Sequence, residues 1–508
     1  MSTVSTSHPS DSTASYDDAS SFDAVVVGAG PNGLTAGITL AQEGWSVLIV
    51  EAKDTVGGGV RSQELTLPGY THDVCSAIYP LSLASPFLRS LPLEQHGLEW
   101  VHPVAPIAHP LDDGSAVLLE SSLQATAESL GADGASYRKL IEPFVRNWGD
   151  LVDDILGPLP LPPKHPLLLA RFARLAFASA SGIAQRRFRG ERARAAFAGN
   201  AAHSILPLEA PGTAAAGILM SVLAHTVGWP MVRGGAQNLA NALSSYFQSL
   251  GGEVMTGLRV DSLDQLPDAK TVLLDITPRQ LIELAGDRLA GSYRRRLERF
   301  RFGPGVFKVD YALDGPVPWR ASACAKAATV HLGGTLDEIR ASERAMWQGQ
   351  HADKPFVLFV QQSPFDPSRA PQEKHTAWAY CHVPAGSTVD MTTQIEAQIE
   401  RFAPGFKELV LARHTHNTQQ MQAYNANYIH GDILGGIHDL RQLYFRPTIS
   451  RNPYATPLEN VYLCSSSTPP GGGVHGMCGF NAAQAALRDR NKQRSWKLGR
   501  LGAQSLQV

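Results

Sequence analysis

The sequence predicts a mixed α/β fold, in which a domain built on a parallel βαβ unit is interleaved with a second domain of antiparallel sheet and a helical lobe. Three observations predict it. A buried-strand pattern, a glycine turn, a helix and a second strand follow one another between Phe22 and Ala52. The composition then shifts to Ala-, Leu- and Arg-rich helical segments between Tyr137 and Gly228, and alternating β-rich runs begin at Gly305. At 508 residues the chain exceeds what one hydrophobic core serves, so two or three lobes are expected.

The first run, Asp23-Ala-Val-Val-Val-Gly28, is apolar, β-branched and closed by glycine, as a strand buried on both faces should be. From Pro31 to Glu43 the spacing of Leu34, Ile38 and Leu40 is helical, with Gly44 as the stop. Ser46-Val-Leu-Ile-Val-Glu51 reads as a second buried strand, completing a parallel unit of about 30 residues. The helical lobe is broken by Gly157-Pro-Leu-Pro-Leu-Pro-Pro163 and by Pro207 and Pro211. After Gly234-Gly235 come an amphipathic helix from Gln237 to Leu250 and strands from Glu253 to Val260 and from Thr271 to Ile276. Gly305 to Leu313, Phe356 to Gln361 and Thr376 to Val383 predict a second, antiparallel sheet. The chain ends on the strand Val461-Tyr-Leu-Cys464, a glycine loop and a helix from Met477. The domain expectation is a discontinuous first domain over residues 22–85, 229–285 and 445–490, with the second over 86–228 and 286–444. Residues 1–21 and 491–508 are read as tails.

Bulk properties exclude several classes. Lys plus Arg number 44 against 46 for Asp plus Glu, a net charge of −2 that gives no footprint for nucleic acid. The five cysteines, Cys75, Cys324, Cys381, Cys464 and Cys478, include no C-x-x-C pair. That pattern argues for a reducing, cytoplasmic setting, and against a dithiol redox site and a metal site. Residues 1–21 lack the apolar stretch of a secretory signal, and no apolar run reaches the roughly 18 residues of a membrane span.

Gly28-Ala-Gly30-Pro31-Asn32-Gly33 fits G-x-G-x-x-G with a strand before it and a helix after it. Gly28 permits the tight turn, Gly30 lets a pyrophosphate touch the backbone, and Gly33 lets helix and strand pack closely. Glu51 lies 18 residues beyond Gly33, at the end of the second strand, where a carboxylate binds ribose hydroxyls and repels a 2′-phosphate. The nucleotide is therefore FAD or NAD. A second match, Gly471-Gly-Gly473-Val-His-Gly476, has no acid-terminated strand after its helix and is not read as another NAD site. It does place a glycine loop before a helix start, where backbone N–H groups and a positive dipole end would meet an anion.

Gly57-Gly58-Gly59-Val-Arg61-Ser62, after Glu51, resembles the phytoene-desaturase and amine-oxidase superfamily of flavoproteins. One branch of it is marked by Phe365-Asp-Pro-Ser-Arg-Ala-Pro371, Phe402-Ala-Pro-Gly-Phe-Lys407, Gln442-Leu-Tyr-Phe-Arg-Pro447 and Tyr462 to Gly476. The resemblance covers nearly the whole chain after the tail. It implies a two-dinucleotide-fold domain that binds FAD, with Gly58 and Gly59 lining the flavin and Arg61 contacting pyrophosphate or flavin. It further implies that Val260 meets the adenine, and that Gly472, Gly473, Val474 and Met477 face the flavin's N1–C2=O edge. Ser465 and Pro469 depart from the usual glycine and histidine of that loop.

Two residues are candidates for chemistry. Lys308 alternates with Phe307 and Val309, so its plain reading is a solvated strand face, whereas the resemblance implies a lysine that holds a water at flavin N5. His475, in the glycine loop, is either a proton carrier or a backbone-bonded loop residue. His430, His382 and Tyr380 are lesser candidates, and Ser465, Ser466 and Ser467 lack the partners of a hydrolase triad. Pro166 to Phe177, followed by Arg186, Arg187, Arg189, Arg192 and Arg194, reads as a lobe helix with a solvated basic face or as a peripheral membrane anchor.

The resulting expectation is an FAD-dependent oxidoreductase that abstracts hydride from an apolar small molecule, with oxygen or a quinone as electron acceptor and a homo-oligomer left open. The alternatives are C–N oxidation of the amine-oxidase type and a low-turnover flavin-bound regulatory protein. Amine oxidases place an aromatic residue where this chain has Gly473, which disfavours the first alternative.

Overall fold

The computed structural model describes residues 21–158, 162–443 and 445–504. Residues 1–20 of the expected N-terminal tail lie outside the described residues, as does the middle of the proline-rich break.

The strand Ala24–Val27 is buried at every position and pairs in parallel on both sides, with Val47–Val50 and with Val272–Leu274. A strand with two hydrogen-bonded neighbours and two covered faces has no solvent side, which is why its sequence shows an unbroken apolar run. Val461–Leu463 and Glu253–Met255 complete the sheet, in the order 461–463, 272–274, 24–27, 47–50, 253–255. The helix Pro31–Gln42 starts on a proline whose missing N–H costs nothing there, and it packs against the last helix, Met477–Gln504. A methyl on Gly479 would sit 1.9 Å from Asn32 O, so the two helices can approach this closely only through glycine.

The second sheet has seven strands among the described residues, in the order 410–416, 305–313, 375–383, 357–361, 327–332, 105–110, 116–119. It is antiparallel as expected except for one parallel pair, Ala327–Leu332 with Ala105–Pro110, which brings in a strand from earlier in the chain. Phe307, Val309 and Tyr311 project into the core beneath Ile395, Ile399 and Phe402 of the helix Thr392–Phe402. The opposite face, carrying Leu358, Trp378 and Tyr380, forms part of a cavity wall. The helices between Gly134 and Thr226 form the lobe that closes the far side.

Two boundaries differ from expectation, and four strands were not expected. The strand expected from Glu253 to Val260 stops at Met255, because the left-handed Gly257 (φ 73°) turns the chain, its N–H donating to Lys53 O. The last helix continues to Gln504, through the stretch read as a C-terminal tail. Strands 105–110, 116–119, 327–332 and 410–416 were not expected.

A buried ionic strut joins segments far apart in sequence. Arg369 reaches Asp73 through both Nη atoms (3.1 and 2.9 Å) and Asp366 through Nε (3.0 Å). The same carboxylates accept the N–H groups of Ala236 and Gly234, both at 2.7 Å. All three charged side chains are fully buried.

Candidate active site

One cavity of about 1130 Å³ runs from the carboxyl ends of the parallel strands to the inner face of the second sheet and the helical lobe. This exceeds the roughly 300–1,000 Å³ of an ordinary small-molecule pocket, leaving room for a dinucleotide and a second ligand.

At the parallel-sheet end, Gly28, Gly30, Pro31 and Asn32 line the cavity. Gly28 is left-handed (φ 102°), a conformation costly for any residue with a Cβ. Gly58 (φ 54°) closes on the same loop, since a methyl there would stand 3.0 Å from Gly30 Cα. Gly33 lies behind the wall, where a Cβ would collide with Gly28 O at 1.8 Å. Gly30 is the N-cap of the helix Pro31–Gln42 and no side chain caps it, so the helix start is open to a ligand's oxygens. Asn32 Oδ1 is buried without a partner.

Glu51 follows the strand Val47–Val50 and lines the cavity, as the ribose-binding expectation requires. Its carboxylate is already oriented: Oε2 accepts Ala29 N–H at 2.9 Å, and Oε1 accepts Lys53 N–H at 3.0 Å and Arg61 Nη2 at 3.2 Å. Arg61 directs its remaining donors to Thr55 O and Gly58 O, which makes it a brace for the Gly57–Arg61 turn as well as a wall residue. Gly59 also lines the cavity, and a methyl on it would strike Tyr428 Oη at 2.2 Å. Val260 lines the same end although it lies outside the strand.

Asp275, which the sequence reading missed, lies in the middle of this end. It follows the strand Val272–Leu274, and its Oδ2 accepts Gly33 N–H at 3.1 Å. One N–H of the helix's first turn is therefore taken by a carboxylate. Burial pushes Asp275 up to about 7, with the Gly33 N–H opposing and the Glu51 charge adding to the rise. The signal was present: a buried apolar strand ending in an acid is the pattern that revealed Glu51.

The second glycine loop differs from expectation in its donors. Gly472, Gly473, Val474 and His475 line the cavity, but Met477 does not, because its N–H is bonded to His475 Nδ1 at 3.0 Å. His475 Nε2 meets Gly471 O at 3.2 Å, so both ring nitrogens hold backbone. Burial lowers its pKa to about 4. The imidazole is thus a neutral cap on the last helix, with no nitrogen free to carry a proton. Gly472 N–H is likewise bonded to His438 Nε2 at 3.1 Å.

Lys308 is not on a solvated face. It is 2% exposed and ion-paired to Asp310, and its Nζ stands 5.3 Å from the centre of the Trp378 ring. Trp378, Tyr380 and Cys75 line the cavity while Lys308 does not, which places the lysine one layer behind the wall. Burial raises Asp310 to about 6, against the pull of Lys308. Of the lesser candidates, Tyr380 and His430 line the cavity, and His382 is buried against Glu343 at 2.9 Å. Ser465 and Ser467 donate to the carbonyls of Ile276 and Gly435, which leaves no triad.

The two ends of the cavity differ in charge. Glu51, Lys53, Arg61, Arg259, Asp275 and Arg279 all surround the glycine-loop end. The far end is walled by Leu156, Phe172, Leu219, Met220, Trp229 and Leu358, and no Asp, Glu, Lys or Arg lines it among the described residues.

Parallel sheet, glycine loop, acid-tipped second strand and adjoining cavity define a protein of the Rossmann-like dinucleotide-binding class. Residues 26–91 match the family model described as an NAD(P)-binding Rossmann-like domain. In particular, the chain is similar to the mouse (Mus musculus) pyridine nucleotide-disulfide oxidoreductase domain-containing protein 2, at 27% identity over 92% of this chain and 94% of that protein. It is also similar to phytoene desaturase of Fusarium fujikuroi, at 25% identity over 89% of this chain and 86% of the relative. A putrescine oxidase variant shares the fold, with a TM-score of 0.60 at 16% identity over 93% of this chain and 99% of that one. These relatives bear out the superfamily resemblance read from the glycine segments and the branch read from the later strings.

Proposed function

We propose that this protein is an FAD-dependent oxidoreductase that removes two electrons from an apolar small molecule, converting a C–C single bond to a double bond. The observation that carries the reading is the uncharged far end of the cavity. Bound FAD would supply the hydride acceptor, and oxygen or a quinone would receive the electrons afterwards. The open start of the helix Pro31–Gln42 would hold the pyrophosphate, and Glu51, fixed by Ala29, Lys53 and Arg61, would take the ribose hydroxyls. Leu219, Met220, Leu358 and Trp378 would exclude water around the reacting carbon atoms and orient the substrate by shape. One hydrogen would leave carbon with the bonding electron pair for that acceptor, and the proton lost from the neighbouring carbon would pass to solvent.

Similarity to a phytoene desaturase supports this substrate class. Amine oxidation is less well served, because an ammonium finds no carboxylate at the far end among the described residues. Trp378 and Tyr380 stack on each other, with centroids 5.6 Å apart and planes 18° apart, instead of facing across a gap as a cationic cage would. Delivery from a membrane surface fits the same reading: Leu167 (87% exposed) and Phe177 (49%) flank the helix whose Phe172 lines the cavity, beside the exposed Arg171, Arg174 and Arg186. Arg192 and Arg194 are turned inward onto Ala116 O and Phe188 O, so they would not share in that contact.

The test is to release the cofactor by heat, identify it by chromatography, and mix the holoprotein without oxygen with a panel of apolar alkenes and of amines. FAD, bleached by members of the first set, is expected. FMN or NAD alone would refute the cofactor, bleaching by amines alone would refute the substrate class, and a flavin that no compound or light reduces would favour the regulatory alternative.

A further inference from the structure

We propose that Asp310, His414 and His416 form a binding site for a divalent transition-metal ion of the zinc type, with His72 buried beside it. The cross-strand register brings the set together. Asp310 pairs with His414 and Lys308 with His416 across the antiparallel strands Gly305–Leu313 and Val410–His416. Residues two apart on a strand share a face, so one carboxylate and two imidazoles converge. One oxygen of Asp310 and one ring nitrogen of each histidine all lie within 4.8 Å of one another. His72 Nδ1, fully buried, points in from a separate strand, 3.8 Å from Asp310 Oδ1.

The hydrogen bonding of these groups is unfinished in a consistent way. Asp310 Oδ2, His72 Nδ1, His414 Nδ1 and His416 Nδ1 are all buried polar atoms without a partner. Buried polar atoms are nearly always satisfied, and four exceptions in one cluster call for a common partner. Lys308 engages Oδ1 of the carboxylate and leaves Oδ2 to the rings. His72 Nε2 is held by Thr66 Oγ1 at 2.7 Å, the kind of outer contact that orients an imidazole ligand.

Two or three imidazoles with one carboxylate suit zinc and its neighbours and do not suit magnesium or calcium, which take oxygen. An ion could arrive directly from solvent, because His414 and His416 are half-buried on the edge strand. None of the three ligands lines the cavity, and neither does His72, so the ion would not touch substrate. Its role is to pin the edge strand to Gly305–Leu313 and to the strand His72–Asp73, behind Lys308.

The test uses the holoprotein, stripped with a chelator, incubated with zinc chloride and passed through gel filtration. Wild type should retain about one zinc per chain, as a preformed site of three or four ligands does, and zinc should raise its Tm. His414→Ala/His416→Ala should bind zinc at least about tenfold more weakly and show no Tm response. Should the double variant fold poorly, His416→Gln alone carries the same expectation and is checked by circular dichroism. No retained zinc on wild type, or equal zinc on wild type and a folded variant, overturns the proposal. A magnesium response equal to that of zinc does so too.

Discussion

The two ends of the cavity are built by different means. The glycine-loop end is assembled from backbone: Gly28, Gly30 and Gly58 bring main chain to the surface, and charged side chains surround it. The far end is assembled from side chains, aromatic and aliphatic, carried on sheet and lobe. The first kind of wall recognises a fixed polar shape and tolerates almost no added atom. The second recognises apolar bulk and can change residue by residue without losing its character. On the proposed function, the cofactor would occupy the first end and the substrate the second.

The largest effect is expected at Gly30. A valine there puts its Cβ 2.9 Å from Asp275 Oδ2 and its methyl groups into the pyrophosphate path, so Gly30→Val should purify folded but without flavin. Full flavin content would show that the glycine end is not the cofactor end.

The next largest effect is expected at Lys308. Replacing it by Met strands the buried Asp310, and breaking a buried pair from one side typically costs about 3–5 kcal/mol. A large fall in Tm with flavin still bound is the expected outcome. If Lys308 also orients a water at the reacting atom, flavin reduction by substrate or reoxidation should slow at least roughly tenfold, measured by stopped flow. A Tm within a degree of wild type would contradict the ion pair.

Leu219→Glu tests the far end by giving it the charge it lacks. An apolar ligand should then bind at least about tenfold more weakly, some 1.4 kcal/mol, while flavin content is unchanged. An unchanged ligand affinity would locate the substrate elsewhere.

The smallest effect depends on pH. Asp275 has a folded-state pKa raised to about 7, so it is neutral below that pH and charged above it. The charged form repels a pyrophosphate, and apoprotein affinity for FAD should therefore fall as pH rises through 7, by at most about tenfold per unit. A raised carboxylate also stabilises the fold at low pH, and that contribution should be lost as pH rises from about 4 to about 7. In Asp275→Asn both slopes should flatten. An unaltered pH profile in that variant would remove Asp275 from the pyrophosphate site.

How much of this was legible in sequence follows from the range of the contacts. The βαβ unit was readable because its parts are adjacent, and Gly305–Leu313 because its alternation is local and complete. Ala105–Pro110 was hidden by its two prolines and by a partner, Ala327–Leu332, far along the chain. Val410–His416 was hidden because an edge strand with a half-exposed face reads as polar. In the site, Glu51 was legible and Asp275 was not, because the bond from Gly33 to Asp275 spans 242 residues. The role of His475 was undecidable beforehand, since only coordinates show that both of its nitrogens hold backbone.

The Arg369 strut has a mechanical consequence. It rivets segments 72–73, 234–236 and 366–369 together, so these segments cannot separate without exposing three charges. Ligand traffic is then expected on the lobe side, where Phe172 of the helix Pro166–Ala176 lines the cavity and the helix Ala180–Arg187 follows it. Hydrogen–deuterium exchange should find the riveted amides of Gly234 and Ala236 among the slowest in the molecule and those of these two helices among the faster. The reverse order would make the rivet the gate.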